Sequence, residues 1–450
     1  MRSLGRPGTI AALLVALLVA GVADGAEPDY LSAEAPVEDS VLKLRDIIGR
    51  GLAPAVKAVR RAVRVLPDGL DPFWRDSSLN LEPRIYHFNR KRNIGADSET
   101  LAAGGALAYR SGVLQDRVSF GATLYTTQKI HGPHDKPGSG LLKPVQQGFT
   151  VLGEAYLNVR VAEQAQLRLY RQTFNLPYIN KNDIRMVPNT FEAINLFNAD
   201  DPDFNYIVGH VNKIKRFASD DFVYMSEAAG ADGTDKGLSM VGGRLALSEN
   251  ATIGAISQYS WDVFNTFFAE ANGAWEVGDG LAVRLSGQFT DQRSIGDELA
   301  GSFDTNNVSV KAAASLGGAQ VTLAYSSTDD GAGIRSPFGG YPGYISLIVG
   351  DFNRAGEDAW LIGLAYDFEH IGWPGLSGFI NYASGDTPES GAVRSVDEDE
   401  LDFTLDYRPP TGFFEGLWLR ARAAFVDQHG AGANDIEDYR LILNYTVPLL

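Results

Sequence analysis

The stretch Leu281-Ala-Val-Arg-Leu-Ser-Gly-Gln-Phe289 places Leu281, Val283, Leu285 and Phe289 on one face and Arg284, Ser286 and Gln288 on the other. A period of two is the mark of an extended strand with one apolar and one polar side. Leu401-Asp-Phe-Thr-Leu-Asp-Tyr-Arg408 repeats the pattern, with Asp402, Thr404, Asp406 and Arg408 on the polar side, and so does Tyr439-Arg-Leu-Ile-Leu-Asn-Tyr-Thr-Val447. Soluble antiparallel sheets alternate too, so one segment decides little. Number and spacing decide more.

Working outward, about eighteen such segments are expected, the size of a porin-type barrel. They begin near Leu79, Glu99, Arg117, Phe149, Ala165, Phe191, Tyr206, Gly237, Ala251, Asn265, Leu281, Val308, Ala319, Glu357, Ser377, Glu398, Gly416 and Asp435. Their joints alternate in length. Ala162-Glu-Gln164, Ser248-Glu-Asn250, Gly278-Asp-Gly280 and Gly317-Gly318 are tight, whereas Thr127 to Gly148, Thr173 to Thr190, Phe217 to Lys236, Gln292 to Asn307 and Asp329 to Gly356 are long. Asp262 to Phe264 is a short exception. Transmembrane barrels have short periplasmic turns and long outer loops, so this parity predicts an all-β, transmembrane antiparallel barrel over 77–450. Tyr109, Tyr125, Tyr156, Tyr259, Trp261, Trp275, Tyr325, Tyr366, Tyr407, Trp418 and Tyr445 lie toward strand ends, where aromatic girdles are expected, although core aromatics would look the same.

The first residues differ. Arg2 and Arg6 precede the apolar run Ile10 to Val22 and the small residues Ala23-Asp24-Gly25-Ala26. That is the layout of a secretory signal peptide over 1–25, and the run is short for a membrane anchor. Residues 26–76 read as a periplasmic helical extension. Val41, Leu44, Ile48, Leu52, Val56, Val59 and Val63 recur at helical spacing among Lys43, Arg45, Arg50, Lys57, Arg60, Arg61 and Arg64. Such a helix either packs on a neighbour or lies on an anionic surface near the pore mouth.

The composition agrees with a barrel. The 450 residues contain no cysteine, so disulfides and thiolate sites are excluded, and the net charge of −17 argues against a nucleic-acid partner. A mean hydropathy of −0.11 is too low for several membrane helices.

Two segments resemble the OprD-type family of substrate-specific outer-membrane porins. One is Leu169-Tyr-Arg-Gln-Thr-Phe-Asn-Leu-Pro-Tyr-Ile-Asn180 with Asp183, Arg185-Met186 and Pro188-Asn-Thr-Phe-Glu192. The other is Ser336-Pro-Phe-Gly-Gly-Tyr-Pro-Gly-Tyr344, followed by Asp351-Phe-Asn-Arg-Ala-Gly-Glu357. Leu364-Ala-Tyr-Asp-Phe368, Arg420-Ala-Arg422 and Asp438-Tyr-Arg440 look like the family's later strands. The resemblance implies an eighteen-stranded barrel in the outer membrane of a Gram-negative bacterium. It also implies third and seventh outer loops folded inward as a constriction, and passage of small, often carboxylate-bearing nutrients. The terminus Val447-Pro-Leu-Leu450 departs from the usual final aromatic of such barrels.

Alternation puts Arg168, Arg244, Arg284, Lys311, Arg408, Arg420, Arg422 and Arg440 on the lumen side. The last four fall on the final three strands. With about 3.3 Å of rise per residue, Arg408 is expected lowest, Arg420 and Arg422 higher, and Arg440 highest. Guanidinium holds carboxylate in a two-pronged manner at any relevant pH, and weak sites in series favour passage over trapping. The resemblance implies the same basic ladder. The alternative is that these arginines pair with Asp402, Asp406 or Glu154 and stiffen the wall. Tyr178, Asn180, Asp183, Arg185, Ser336, Asp351 and Arg354 are candidates for solute contact at the constriction, although inward loops must also satisfy their own backbone.

Other motifs are weaker. His131-Gly-Pro-His134-Asp135 lies in an expected exposed loop. Asp201-Pro-Asp203-Phe-Asn205 and Asp397-Glu-Asp-Glu400 lack the glycine and distal glutamate of a calcium loop. No metal, cofactor or catalytic group is expected, since neither a Gly-x-Ser-x-Gly elbow nor a phosphate loop occurs. The expected partners are outer-membrane lipid and lipopolysaccharide, small anionic or zwitterionic solutes, and the barrel-assembly machinery during insertion. The expected assembly is a monomer or a loose trimer. A general porin or a sealed adhesive barrel are the competing readings.

Overall fold

The computed structural model describes residues 69–450 apart from 199, 200, 202, 392, 393, 412 and 413. The expected signal peptide and most of the helical extension lie outside the described residues. The short helix α1 (Pro72–Arg75), started by proline and capped by Asp71 through the Phe73 amide at 2.9 Å, leads into the first strand.

The alternating segments form strands β1 (Ser78–Arg92), β2 (Ser98–Arg110), β3 (Val118–His131), β4 (Phe149–Ala162), β5 (Ala165–Gln172) and β6 (Thr190–Phe197). Next come β7 (Phe204–Lys215), β8 (Leu238–Ser248), β9 (Ala251–Ser260), β10 (Phe264–Glu276), β11 (Ala282–Ser294) and β12 (Asp304–Leu316). The last six are β13 (Ala319–Thr328), β14 (Asp358–Asp367), β15 (Leu376–Asp386), β16 (Asp397–Tyr407), β17 (Leu417–His429) and β18 (Ile436–Tyr445). Each is antiparallel to the next. β18 returns to β1 with Arg84 opposite Asn444 and Arg92 opposite Ile436, so the sheet closes into an eighteen-stranded barrel. Closure removes the exposed edges that an open sheet would carry. At the seam, Val447–Pro448 extends the pairing along β1, and the Leu449 amide donates to the Leu79 carbonyl at 2.7 Å.

Strand starts fall within two residues of the expected positions, except that β12 begins at Asp304 and not Val308. Its polar opening Asp304-Thr-Asn-Asn307 reads as loop, but tertiary pairing with Thr290 to Arg293 of β11 overrides that local signal.

The outward face is apolar and exposed at Val241, Leu245, Ile253, Leu285, Phe289, Val308, Leu323, Ile362 and Leu405. The inward face is polar and buried at Gln258, Gln288, Thr290, Gln292, Thr305 and Ser309. This inversion of an ordinary soluble fold is what a barrel surrounded by lipid requires. Of the expected girdle, Tyr259, Trp261, Trp275, Tyr325 and Tyr407 are exposed outward. Tyr125, Tyr156 and Trp418 instead face the lumen, where they pack beside Glu154, Arg168 and Asp406 respectively.

Joint parity holds for most of the barrel, although the outer joints 93–97, 261–263 and 430–435 are shorter than the periplasmic joints 368–375 and 408–416. The tight turn Gly317-Gly318 has φ of +54° and +82°, a backbone that favours glycine. On the other rim, outer loops 2 (132–148), 3 (173–189), 4 (216–237) and 7 (329–357) are long. The short fifth outer loop is roofed by the sixth, whose Ile295 and Leu299 amides donate to the carbonyls of Val263 and Asp262.

Candidate functional site: the loop-lined constriction

Loops 3, 4 and 7 fold into the barrel because their apolar residues find a wall there. Phe174 and Ile179 of loop 3, Met225 and Ala228 of the helix α2 (Met225–Ala228) in loop 4, and Phe338 of loop 7 form one cluster on Phe191, Val211, Leu238, Met240 and Phe264. Leu141 and Leu142 of loop 2 join Met186 and Val187 of loop 3 on Tyr86, Phe88, Phe149 and Val151. Ile345 and Phe352 of loop 7 cover Ala324, Leu361 and Ala383. Loops 3 and 7 were expected to turn inward, but the contributions of loops 2 and 4 were not.

Lumen glutamines satisfy the backbone of the incoming loops, as buried carbonyls and amides demand. Gln258 donates to Pro177 O at 2.6 Å, Gln288 to Pro342 O at 3.1 Å, and Gln292 exchanges two bonds with Arg335 at 2.8 Å each.

Most constriction candidates hold the loops. Tyr178 is buried, its hydroxyl 2.8 Å from Thr290 Oγ1, and burial raises its phenol pKa. Asn180 clamps loop 3 to loop 7, donating to Gly340 O at 2.9 Å and accepting from Gly340 N at 2.8 Å. Arg185 donates to Ser139 O at 2.9 Å and lies over Phe88; burial pulls it down to about 10, which leaves it charged near neutral pH. Arg354 pairs with Glu357 at 2.5 Å and donates to Val396 O at 2.5 Å. Asp183 pairs with Arg84 at 2.6 Å, and Asp351 accepts from Ser346 at 2.6 Å. The Ser336 hydroxyl is buried without a hydrogen-bond partner.

The eight wall cations divide into two groups. Arg420 is paired at 2.7 Å with Asp406, one of the acids the wall-stiffening alternative named, and Arg440 at 2.6 Å with Asp438, which it did not name. The other six have no carboxylate within 4.0 Å among the described residues. Arg422 donates to Thr404 Oγ1 at 3.2 Å, and Arg168 to Asn158 Oδ1 at 2.7 Å while lying 4.6 Å from the Tyr156 ring. Lys311 sits 4.1 Å from the Tyr344 ring, and Arg244 and Arg284 are exposed on β8 and β11.

Of the expected heights, the low position of Arg408 stands and the high position of Arg440 does not. Arg408 lies just past the end of β16, its amide bonded to Gly375 O at 2.8 Å and its guanidinium over Trp418. Arg440 is directly opposite Arg422 in the register and not a rung above it. The stagger between neighbouring strands, which alternation does not encode, sets such heights.

The cations therefore occupy two walls. Arg420 and Arg422 lie on β17, and Arg244, Arg284 and Lys311 lie on β8, β11 and β12. Arg168, Arg244 and Glu270 border a cavity of about 390 Å³ beneath loop 3. A second cavity of about 430 Å³ is lined by Glu82, Arg84, Arg110, Glu154, Lys181 and Asp183. Arg84, Arg110 and Lys181 were not among the sequence candidates. Arg84 was readable, since Leu81, Pro83 and Ile85 occupy the opposite face of β1. Among the described residues, no group of three or more His, Asp or Glu side chains is arranged to hold a metal ion.

Three comparisons bear on this architecture. The family described as outer membrane porin, OprD family, is matched over residues 71–449. Porin D of Pseudomonas aeruginosa is 24% identical over 417 residues, which is 84% of this chain and 92% of that protein. Among solved structures, Pseudomonas aeruginosa OccK9 (OpdG) superposes with a TM-score of 0.77 at 24% identity, covering 84% of this chain and 100% of that one. OpdK from the same species, solved with vanillate, gives 0.74 at 22% identity, with 84% and 100% covered. Acinetobacter baumannii OccAB3 gives 0.75 at 20% identity, with 83% and 99% covered.

Proposed function

Since this chain belongs to the OprD family of outer membrane porins, we propose that its substrate-selective channel passes small carboxylate-bearing solutes along arginine and lysine side chains of the barrel wall. Members of the family are channels and not enzymes. The observation that carries the reading is the set of six lumen cations without a carboxylate partner among the described residues, Arg422 foremost among them. A guanidinium held by a neutral hydroxyl keeps donors free for a passing anion. Arg168, Arg244, Arg284 and Lys311 offer the same chemistry on the facing wall, and Arg408 at the periplasmic mouth. Vanillate, found with OpdK, is itself a carboxylate, which is compatible with this reading.

Liposome swelling tests it against a general porin. A small monocarboxylate is expected to enter several-fold faster than a neutral solute of equal size, because the wall cations raise its local concentration. Rates that follow size alone would mean a general porin.

The same proposal takes residues 1–25 as a cleaved signal, 26–76 as a periplasmic extension and 77–450 as the barrel. It also takes lipopolysaccharide as the lipid around the barrel in the outer leaflet, the barrel-assembly machinery as the partner during insertion, and a monomer or loose trimer as the assembly. If the basic extension gates the mouth, deleting residues 41–66 is expected to change the open probability of single channels. Identical gating would discard that role.

A further inference from the structure

The tip of loop 7 is fastened to the barrel wall by an arrangement that the ladder does not explain. Three consecutive amides point at two acids of β16. Ile348 N donates to Asp402 Oδ2 at 3.0 Å, Val349 N to Glu400 Oε1 at 2.8 Å, and Gly350 N to Glu400 Oε2 at 2.6 Å. Glu400 and Asp402 are 0% and 1% exposed, and among the described residues neither has a cation within 4.0 Å. The two buried carboxyl groups also interact with each other. From the other side, Arg440 donates to Ile348 O at 2.9 Å. The tip is a self-contained turn, closed by Leu347 N to Gly350 O at 2.8 Å.

We infer that Glu400 and Asp402 are positioning residues that set the width of the constriction by holding this turn against the wall beside Arg422. Consecutive amides converging on a carboxylate make a strong, directional contact, worth more in a closed interior than in water. The register explains the location. Thr404, two residues along the same face from Asp402, is opposite Arg422, so the tip and the unpaired guanidinium border the same passage. Gly350 lets the backbone approach so closely. A Cβ there would lie 2.5 Å from Glu398 Oε1 and 3.1 Å from Glu400 Oε2. The two ends of the segment, Ile345 and Phe352, stay anchored in the apolar cluster below. Releasing the acids therefore frees only the turn between them, and the passage acquires a second, wider state.

The inference rests on the chain being an open channel, and the test separates the two. In planar bilayers the wild type is expected to show one steady level. Glu400→Ala with Asp402→Ala is expected to add a second, larger conductance level, with the folded, heat-modifiable band unchanged on gels. Gly350→Ala, which keeps both carboxylates, is expected to give the same second level. Asp402→Asn retains a carbonyl acceptor for Ile348 N and is expected to stay steady. A single unchanged level in both loosening variants would overturn the latch, and so would Asp402→Asn behaving like them. If the double variant does not fold, Gly350→Ala alone decides in the same way. A folded wild type that passes no current would instead refute the channel.

Discussion

Replacing Arg422 with alanine is expected to weaken block of the channel by a small carboxylate about tenfold, with little change in open-channel current. Hydrogen bonds to a charged group contribute roughly 1.5–3 kcal/mol, and about 1.4 kcal/mol is a factor of ten in affinity. Arg422 is the right target because its contact on β16 is the neutral Thr404 hydroxyl at 3.2 Å. Arg420 is different. Its guanidinium forks onto both oxygens of Asp406 at 2.7 Å each, so much of its charge is already neutralised. Arg420→Ala would leave Asp406 with the Trp418 indole as its side-chain donor, at 2.7 Å, and would add an uncompensated carboxylate to the wall. That variant is expected to weaken block by repulsion, and Arg420→Ala with Arg422→Ala to weaken it most. Arg422→Lys keeps the charge but loses the two-pronged geometry, and should fall between. Concentration-dependent block in single-channel recordings reads all four. Equal block in wild type and Arg422→Ala would remove the ladder's role.

The second large effect is expected from Asn180→Ala. The Asn180 amide makes two bonds with the backbone of Gly340, at 2.9 and 2.8 Å, and these join loop 3 to loop 7 across the lumen. Alanine leaves a carbonyl and an amide of Gly340 without those partners, at about 1–3 kcal/mol each if they stay buried. The loops are expected to part so that water reaches both groups. Conductance should then rise, and the preference for a carboxylate over a neutral solute of equal size should fall severalfold. Gly339→Ala offers an independent route, because a Cβ there would lie 2.7 Å from Asn180 Cγ and 2.8 Å from Asn180 N. Unchanged conductance and selectivity in both variants would show that the clamp does not set the pore.

How much of this was legible in the sequence depends on the range of the interaction. The barrel was legible because lipid outside and water inside force the same alternation on every strand, as in Leu281 to Phe289, and because turns and loops differ by rim. The lumen side of Arg420 and Arg422 follows from the same rule. Pairing does not. Arg420 meets Asp406 because β16 and β17 align them across the sheet, and Arg440 faces Arg422 because of the β17–β18 register. Nothing local in either strand states those offsets. Loop 4 was missed for a similar reason. Met225 and Ala228 read as ordinary loop residues until loops 3 and 7 supply a surface for them. Tyr178 and Asn180 were singled out for solute contact, yet their polar atoms face the wall and another loop. A sequence reveals that a loop residue is chemically capable, but only packing says what it touches.

The central claim is that the lumen cations select for a carboxylate. Its most direct test is a single-channel recording of the wild type in a planar bilayer while small carboxylates, and neutral amides of matching size, are added in turn. The account predicts brief, concentration-dependent interruptions with the carboxylates and none with the amides, weakened by high salt as exposed charges are screened. Interruptions that are equal for both series, or absent from both in a conducting channel, would contradict it.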